Sequence, residues 1–410
     1  MRLVRRVLFL VLAALAVASQ NASAAEIDLL LDKLVEKGVL TPIEAQILLE
    51  ETKEEVAKQL AQGTSFSIPT WAQKMKLKGD VRLRFQLDKK AGDPERSRAR
   101  YRLRFSGEPS IIDEFKVGFQ FASGGADPRS NNQTLQNSFE TPDLRLNYVF
   151  AQYMPAPGLG LIGGKFKREA ALWQTSDLLW DSDINVEGAS VVFSGVTVPG
   201  LELFASASAW VLDESSSNRV DPMAYVLQSG VAWELTEMVS FRTGLAYYDF
   251  DSVKGKTLDY TEKTNTVDLE GHLTYRYNGF SPSVELKREN PAGGMMSYVS
   301  LFGEYVRNPN SPEKNQGYVA GLGLGDSKVK ERGQRQLRYL YRYLEKDAWL
   351  DIFPDSDFYN GKTDVRGHEA LAQLGLFTNV SLTVDYYRAE RLTGARAATD
   401  LWQVDLSASF

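Results

Sequence analysis

From Met75 to its last residue the chain alternates between apolar and polar positions. Lys76, Lys78, Asp80, Arg82, Arg84 and Gln86 interleave with Leu77, Gly79, Val81, Leu83, Phe85 and Leu87. Arg98, Arg100, Arg102 and Arg104 interleave with Ala99, Tyr101, Leu103 and Phe105, and Phe115, Val117, Phe119 and Phe121 mark a third run. Successive side chains of a strand point to opposite faces, so each run carries one apolar and one polar face. The closing stretch repeats the pattern. Trp402, Val404, Leu406, Ala408 and Phe410 share one face, and Gln403, Asp405, Ser407 and Ser409 share the other. Further strands are expected at 143–153, 159–167, 186–195, 200–211, 223–235, 238–250, 266–277, 297–307, 317–325, 335–345, 368–377, 381–391 and 398–410. The total is roughly sixteen, an even number as closed antiparallel barrels have, and an extra hairpin marked by Val284 and Leu286 within 278–296 would raise it to roughly eighteen.

The connections alternate in length as well. Glu108–Glu114, Pro155–Gly158, Val196–Gly200, Leu235–Met238 and Thr378–Val380 are short and draw on the turn residues Pro, Gly, Asn and Asp. The segments 124–142, 168–185, 212–222, 251–265, 308–316 and 346–367 are long. A transmembrane antiparallel β-barrel has short turns at one end and long loops at the other, an apolar outer face and a polar inner one. That architecture is the expectation for 75–410. A terminal strand ending on an aromatic resembles the insertion signal of bacterial barrels, with Trp402, Val404, Leu406 and Phe410 as its residues.

The amino-terminal part differs. Arg2, Arg5 and Arg6, the apolar run Val7 to Ala18 and the small residues Ala22-Ser23-Ala24 read as a signal peptide over 1–24. Residues 25–62 are expected to form a short α-helical hairpin in the periplasm. Ile27, Leu30, Leu31, Leu34 and Val35 recur at helical spacing, Gly38 offers a C-cap, and Thr41-Pro42-Ile43-Glu44 reads as a second helix start. From Glu26 to Gln62 nine acidic residues face four basic ones. Two short helices bury little alone, so they pack on themselves or neighbouring copies, join a trimer, or grip a cell-wall or periplasmic partner through residues 26–62. Residues 63–74 are the linker.

Composition narrows the classes. The chain has no cysteine, which excludes disulfides, thiolate metal sites and Cys nucleophiles. Past residue 25 no apolar run approaches the ~20 residues of a membrane helix. Mean hydropathy is -0.29, which does not count against a barrel, because alternation hides its membrane signal. Charge is unevenly placed. Lys74 to Arg104 holds twelve basic residues against four acidic, within a chain whose net charge is -6. On the first two strands the arginines occupy the polar phase, so Arg82, Arg84, Arg98, Arg100, Arg102 and Arg104 should form a basic wall of the lumen, which Lys116 and Arg145 extend.

The β region resembles the bacterial "putative porin" family of outer-membrane barrels. The stretches that carry the resemblance are Leu179-Trp180-Asp181-Ser182-Asp183 followed by Glu187-Gly188-Ala189, Leu301-Phe302-Gly303-Glu304-Tyr305-Val306 with Asn308, and Gly317-Tyr318 with Gly321-Leu322-Gly323. Tyr341-Arg342-Tyr343, Asp355-Ser356-Asp357-Phe358 and Thr363-Asp364-Val365-Arg366-Gly367-His368 complete it. The resemblance implies a diffusion channel in the outer membrane, with lipopolysaccharide and the barrel assembly machinery as partners and a homotrimer by family analogy. It implies no catalytic residues and no cofactor.

An inward-folding loop makes the constriction of general porins, and 168–185 is the candidate here, with Asp177, Asp181 and Asp183 and with Glu187 just beyond. The Arg wall then gives an anion preference, or a field across the pore against these acids. Neutralisation by lumenal Asp and Glu would leave no net selectivity. Asp355, Asp357, Asn360 and Asp364 superficially resemble a calcium loop, but Tyr359 stands at the third ligand position. His272 shares a strand face with Thr274 but with no evident Ser, so it reads as a lumenal polar residue and not part of a triad. His368 is expected at the interface. No enzyme is expected. The function is a channel for small hydrophilic solutes, or alternatively a barrel-anchored tether to the cell wall or a periplasmic partner.

Overall fold

The structure is a computed structural model that describes residues 41–42, 72, 75–214, 216, 220–291, 296–394 and 397–410. The expected signal peptide, helical hairpin and linker lie outside the described residues, apart from Thr41, Pro42 and Ala72.

The chain forms strands β1 (Lys76–Lys90), β2 (Arg96–Glu108), β3 (Ser110–Ile112), β4 (Phe115–Ala122), β5 (Gln133–Thr134) and β6 (Arg145–Ala156). There follow β7 (Leu159–Lys167), β8 (Asn185–Val198), β9 (Leu201–Val211), β10 (Met223–Thr236), β11 (Val239–Asp251) and β12 (Tyr277–Glu289). The last six are β13 (Tyr298–Arg307), β14 (Gln316–Gly325), β15 (Arg335–Leu344), β16 (Val365–Phe377), β17 (Val380–Arg391) and β18 (Thr399–Ser409). All pairings are antiparallel, and β3 merely continues β2 past Pro109 while β5 is a two-residue strand inside a loop. Sixteen strands therefore build the wall among the described residues.

The wall closes where the chain ends. β1 pairs with β18 from Asp80↔Ser409 to Lys90↔Thr399. Gly79 and Phe410 then exchange both backbone hydrogen bonds, at 2.8 and 2.9 Å. A Cβ on Gly79 would strike the Phe410 ring, so the glycine lets the terminal aromatic lie flat across the seam. Side-chain phase is as expected. On β1 Leu83 and Phe85 are more than half exposed on the outer face, while Arg84 and Gln86 between them are buried inside. Trp402, Val404 and Leu406 point outward on β18, alternating with buried Gln403 and Asp405.

Connections at one end are tight. Gly158, Gly200 and Asn379 supply the positive φ that two-residue hairpins need. The rhythm is less strict than the sequence suggests: 290–297 and 326–334 lie at the turn end and are long, and 91–95 lies at the loop end and is short.

One strand is displaced from its expected position. Residues 266–277 are not a strand but part of the 252–276 loop, where Val267↔Leu273 is an isolated bridge. Gly271 turns the chain at φ +88, and the Asp268 carboxylate accepts the N–H groups of Glu270 and His272, both at 2.9 Å. The alternation there belongs to a small turn. The membrane strand is 277–289, where Val284 and Leu286 mark the outer face of a single strand and add no hairpin. Pro282 disguises it. Proline has no N–H to donate and is rare inside sheets. Here the β12–β13 ladder is interrupted between Phe280↔Arg307 and Ser283↔Glu304, and Pro282 sits in that gap.

The interior is not uniformly polar. Inner positions at the loop half of β7–β11, among them Phe166, Val186, Trp210, Val226, Tyr248 and Phe250, are buried and apolar. Two loops fold inward onto this patch. The 168–184 loop brings Leu172, Leu178, Leu179 and Trp180, and the 345–364 loop brings Trp349, Leu350, Phe353 and Phe358. The Trp180 ring lies 4.2 Å from Phe353, 5.7 Å from Trp210 and 5.8 Å from Trp349, centroid to centroid. Each such aromatic withdraws ~150–250 Å² from water, and this burial holds both loops inside the barrel.

The strand assignment has a direct check, because the chain has no cysteine of its own. In cells, Cys at Leu269, which is fully exposed, will react with a membrane-impermeant maleimide. Cys at Val284 or Leu286 will not. Labelling of the last two would place 277–289 outside the membrane.

Candidate functional site

The charged half of the interior runs over β15, β16, β17, β18, β1 and β2. Because the period is two, every second residue of these strands faces inward, and those residues are Arg338 and Arg342, Glu369, Asp385, Gln403 and Asp405, Arg82 and Arg84, and Arg98 to Arg104. The two inward loops stand opposite. Between them lies a cavity of ≈ 360 Å³ whose lining includes five arginines and eight carboxylates.

The expected basic wall exists as a row of positions but is paired along its length. Arg84 forms a two-pronged contact with Asp405, both bonds 2.7 Å, and donates its third nitrogen to Asp357 at 2.9 Å. Arg82 donates to Asn132 at 2.6 Å and lies 3.6 Å from Asp405. Arg102 holds Asp80 at 2.7 and 3.0 Å, and Arg104 holds the other oxygen of Asp80 at 2.6 Å. Arg98 donates to Asp88 at 3.0 Å. Arg100 has only neutral acceptors, Gln86, Ser130 and the Asn132 carbonyl. Lys116 keeps the inward phase at the turn end of β4, and Arg145 is exposed and donates to the Gly124 carbonyl.

Of the expected acidic loop, two members reach arginines. Asp183 lies 3.5 Å from Arg104 and 3.9 Å from Arg102. Asp177 accepts from Arg342 at 2.6 Å. Asp181 does something else. It is buried, and its carboxylate accepts the backbone N–H groups of Ser356 at 2.7 Å and Asp183 at 2.9 Å, tying one loop to the other. Burial, with Asp183 adding repulsion, pushes its carboxyl well above the usual range. Asp357 goes the other way: burial opposes its charge, but Arg84 beside it brings the carboxyl below the usual range. Glu187 is a correction. It lies on the outer face of β8, paired with Lys165 at 2.7 Å, because the strand phase turns it away from the lumen.

Sequence reasoning missed the residues that fix the loops. Glu304 on β13 accepts from Gln174 at 2.9 Å and Ser176 at 3.1 Å. Gln228 on β10 clasps the backbone of Trp173 with two bonds of 2.8 Å. Trp349 donates its indole N–H to the Leu179 carbonyl at 2.6 Å. Arg342 is the largest omission. It is 1% exposed and lies among Asp177 at 2.6 Å and Asp355 and Glu369 at 3.5 Å each. The three carboxylates come within 4.8 Å of one another, as metal ligands do, but the cation among them is the guanidinium. The only signal was that Glu369 and Asp385 share the polar phase of their strands.

The calcium-loop resemblance dissolves in the same way. Asp355 and Asp357 face Arg342 and Arg84, and Asp364 pairs with Arg391 at 3.0 Å. His272 sits not in the lumen but in the 252–276 loop beside Asp268 and Glu270. His368 points outward and shares a 2.6 Å hydrogen bond with the Tyr339 hydroxyl.

Removing one partner from a buried ion-pair cluster leaves uncompensated charge and costs ~3–5 kcal/mol. Arg342→Met will therefore lower the unfolding free energy by about that much in urea titrations of the detergent-folded protein. Adding Asp177→Asn will restore part of the loss. Equal stability of wild type and Arg342→Met would remove Arg342 as the keystone of the loops.

Comparison with a solved structure gives the same architecture. Pseudomonas putida OprB aligns with TM-score 0.54 at 10% identity, over 86% of this chain and 97% of that one. Salmonella typhi OmpF aligns at 0.49 with 13% identity, over 82% and 97%, and Rhodopseudomonas blastica porin at 0.44 with 10% identity, over 82% and 100%. No curated protein matches the chain. The model of the "putative porin" family matches residues 89–287 and 299–410, and the chain belongs to that family of outer-membrane barrels.

Proposed function

We propose that this protein is a water-filled channel for passive diffusion of small hydrophilic solutes, and that the solute passes between the arginines of β1–β2 and the carboxylates of the inward loops. The observation that carries the reading is the division of the interior. An apolar half anchors two loops, and beside them the other half leaves a charged passage, the cavity of ≈ 360 Å³. A barrel serving only as an anchor has no need of such a passage. Family and fold support an outer-membrane channel and not an enzyme.

The narrow zone is built from paired charges, and that changes the expected selectivity. Fixed charge concentrates counter-ions only where it is uncompensated. Most arginines of the wall meet a carboxylate within 3.6 Å, and the cavity lining holds more acids than arginines. The chloride preference inferred from the Arg run loses its basis. The homotrimer of the family resemblance belongs to this proposal, and sedimentation of the detergent-extracted protein reads it.

Purified protein in a planar bilayer will conduct in discrete steps. Across a KCl gradient its reversal potential will stay near zero or lean weakly toward potassium. A strong chloride preference would restore the basic wall as the selecting element. No steps, from protein shown by circular dichroism to be folded, would defeat the channel reading and leave the tether in its place.

A further inference from the structure

Arg242 stands apart from the other arginines of the inner wall. Among the described residues those others each donate at least one hydrogen bond. Arg242 makes none and no ion pair; its close contacts are two rings, with the carboxylates of Glu202 and Glu285 acting on it from farther off. Its guanidinium carbon lies 4.7 Å from the centroid of Trp173 and 4.7 Å from that of Phe204. Its Nε is buried without a partner.

The aromatic corner is built and not incidental. Trp173 is fixed by the two Gln228 bonds to its backbone. Two inner-wall glycines make room for the rings. A Cβ on Gly230 would strike the Phe204 ring, and one on Gly244 would come 3.2 Å from Trp173 and 3.4 Å from Phe204. The two rings meet edge to face, 6.1 Å apart with their planes at 70°, so they form an aromatic corner on one side of the guanidinium, and its terminal nitrogens have no acceptor among the described residues. Those donors suit a carboxylate, which a guanidinium grips with two parallel bonds.

The neighbours qualify which carboxylate. Register places Glu202, Ala232, Arg242 and Glu285 in one row across β9, β10, β11 and β12. These four residues and Trp173 line one cavity of ≈ 360 Å³ near the turn end. Glu285 is answered by Lys287 at 3.0 Å. Among the described residues Glu202 has the Ser194 hydroxyl as its one hydrogen-bond donor. A simple anion would meet Arg242 but be repelled by Glu202, about two strand spacings or ~10 Å away along the row. A solute with a carboxylate and an ammonium satisfies both.

We propose that Arg242, packed into the corner made by Trp173 and Phe204, is the carboxylate-binding group of a solute subsite at the turn end of the lumen, and that the subsite takes small zwitterions of the amino-acid type with the ammonium toward Glu202. The inference rests on the channel reading. The probe is L-phenylalanine added to single channels of the full-length protein in KCl, with 3-phenylpropionate, which lacks the ammonium, as the comparison. Phenylalanine will produce transient blockades in wild type and 3-phenylpropionate shorter ones. Arg242→Gln will shorten the phenylalanine blockades about ten-fold or more, the scale of a lost charge-assisted contact. Arg242→Lys, which keeps the charge but not the planar edge, will fall between them and serves if the Gln variant does not fold. Unchanged blockades in the folded Arg242 variants would overturn the subsite, and equal blockade by the two probes in wild type would overturn the zwitterion assignment. Steps of KCl conductance without any blockade would defeat the subsite alone; the absence of steps would defeat the channel itself.

Discussion

In hydrocarbon a backbone N–H or C=O has no partner except another strand, and a sheet there must leave no edge. Everything else in this structure follows from that closure. It falls between β1 and β18, sealed by the Gly79–Phe410 pair. Once the ring is closed, the phase of every strand is fixed, since a slip of one residue would turn each Arg to lipid and each Leu to water. Outer positions have then only to be apolar. Inner positions are free to do different things on different strands.

That freedom is used unevenly around the ring. On β7–β11 the inner face is apolar and holds loops; on β15–β2 it is mostly charged and borders a cavity. The two halves depend on each other. Asp177, Asp183, Asp355 and Asp357 reach the arginines only because Leu178, Leu179, Trp180 and Phe353 are buried against the opposite wall. The carboxylates in turn satisfy guanidinium groups that would be costly to bury unpaired. Hydrophobic burial positions the loops, and ion pairs set their register along the wall.

The sequence made the barrel legible because strand phase is local: Arg82 and Leu83 reveal opposite faces without reference to anything else. The same locality misled at 266–277, where alternation around the Gly271 turn passed for a strand, and at Pro282, where a residue foreign to sheets hid one. For the site, Arg82, Arg84, Arg98, Arg100, Arg102 and Arg104 could be placed on the inner wall from their spacing. Their partners could not. Asp405 and Asp357 lie more than 270 positions from Arg84, and nothing local to 355–357 says that the loop folds back into the lumen. The apolar patch that draws it there is spread over single inward residues of several strands, such as Trp210 and Phe250, each hidden in its own alternating run.

Paired charge changes what a basic wall does. A lone row of arginines acts at a distance as a line of positive charge. Once Asp80 and Asp405 sit within hydrogen-bond range of it, the row acts as a set of short dipoles whose field dies away within a few ångströms, further screened by salt over a Debye length of ~8–10 Å. Such a wall discriminates little between ions yet orients polar solutes that come into contact with it. Arginine suits this use better than lysine. Its planar fork holds two oxygens at once and keeps its charge when half-buried, so the wall stays rigid and hydrated together. Where a guanidinium packs against rings and makes no ion pair among the described residues, as at Arg242, the same fork is left without an acceptor. Selectivity in this channel is then expected to come from contact at such open groups and not from the sum of its charges.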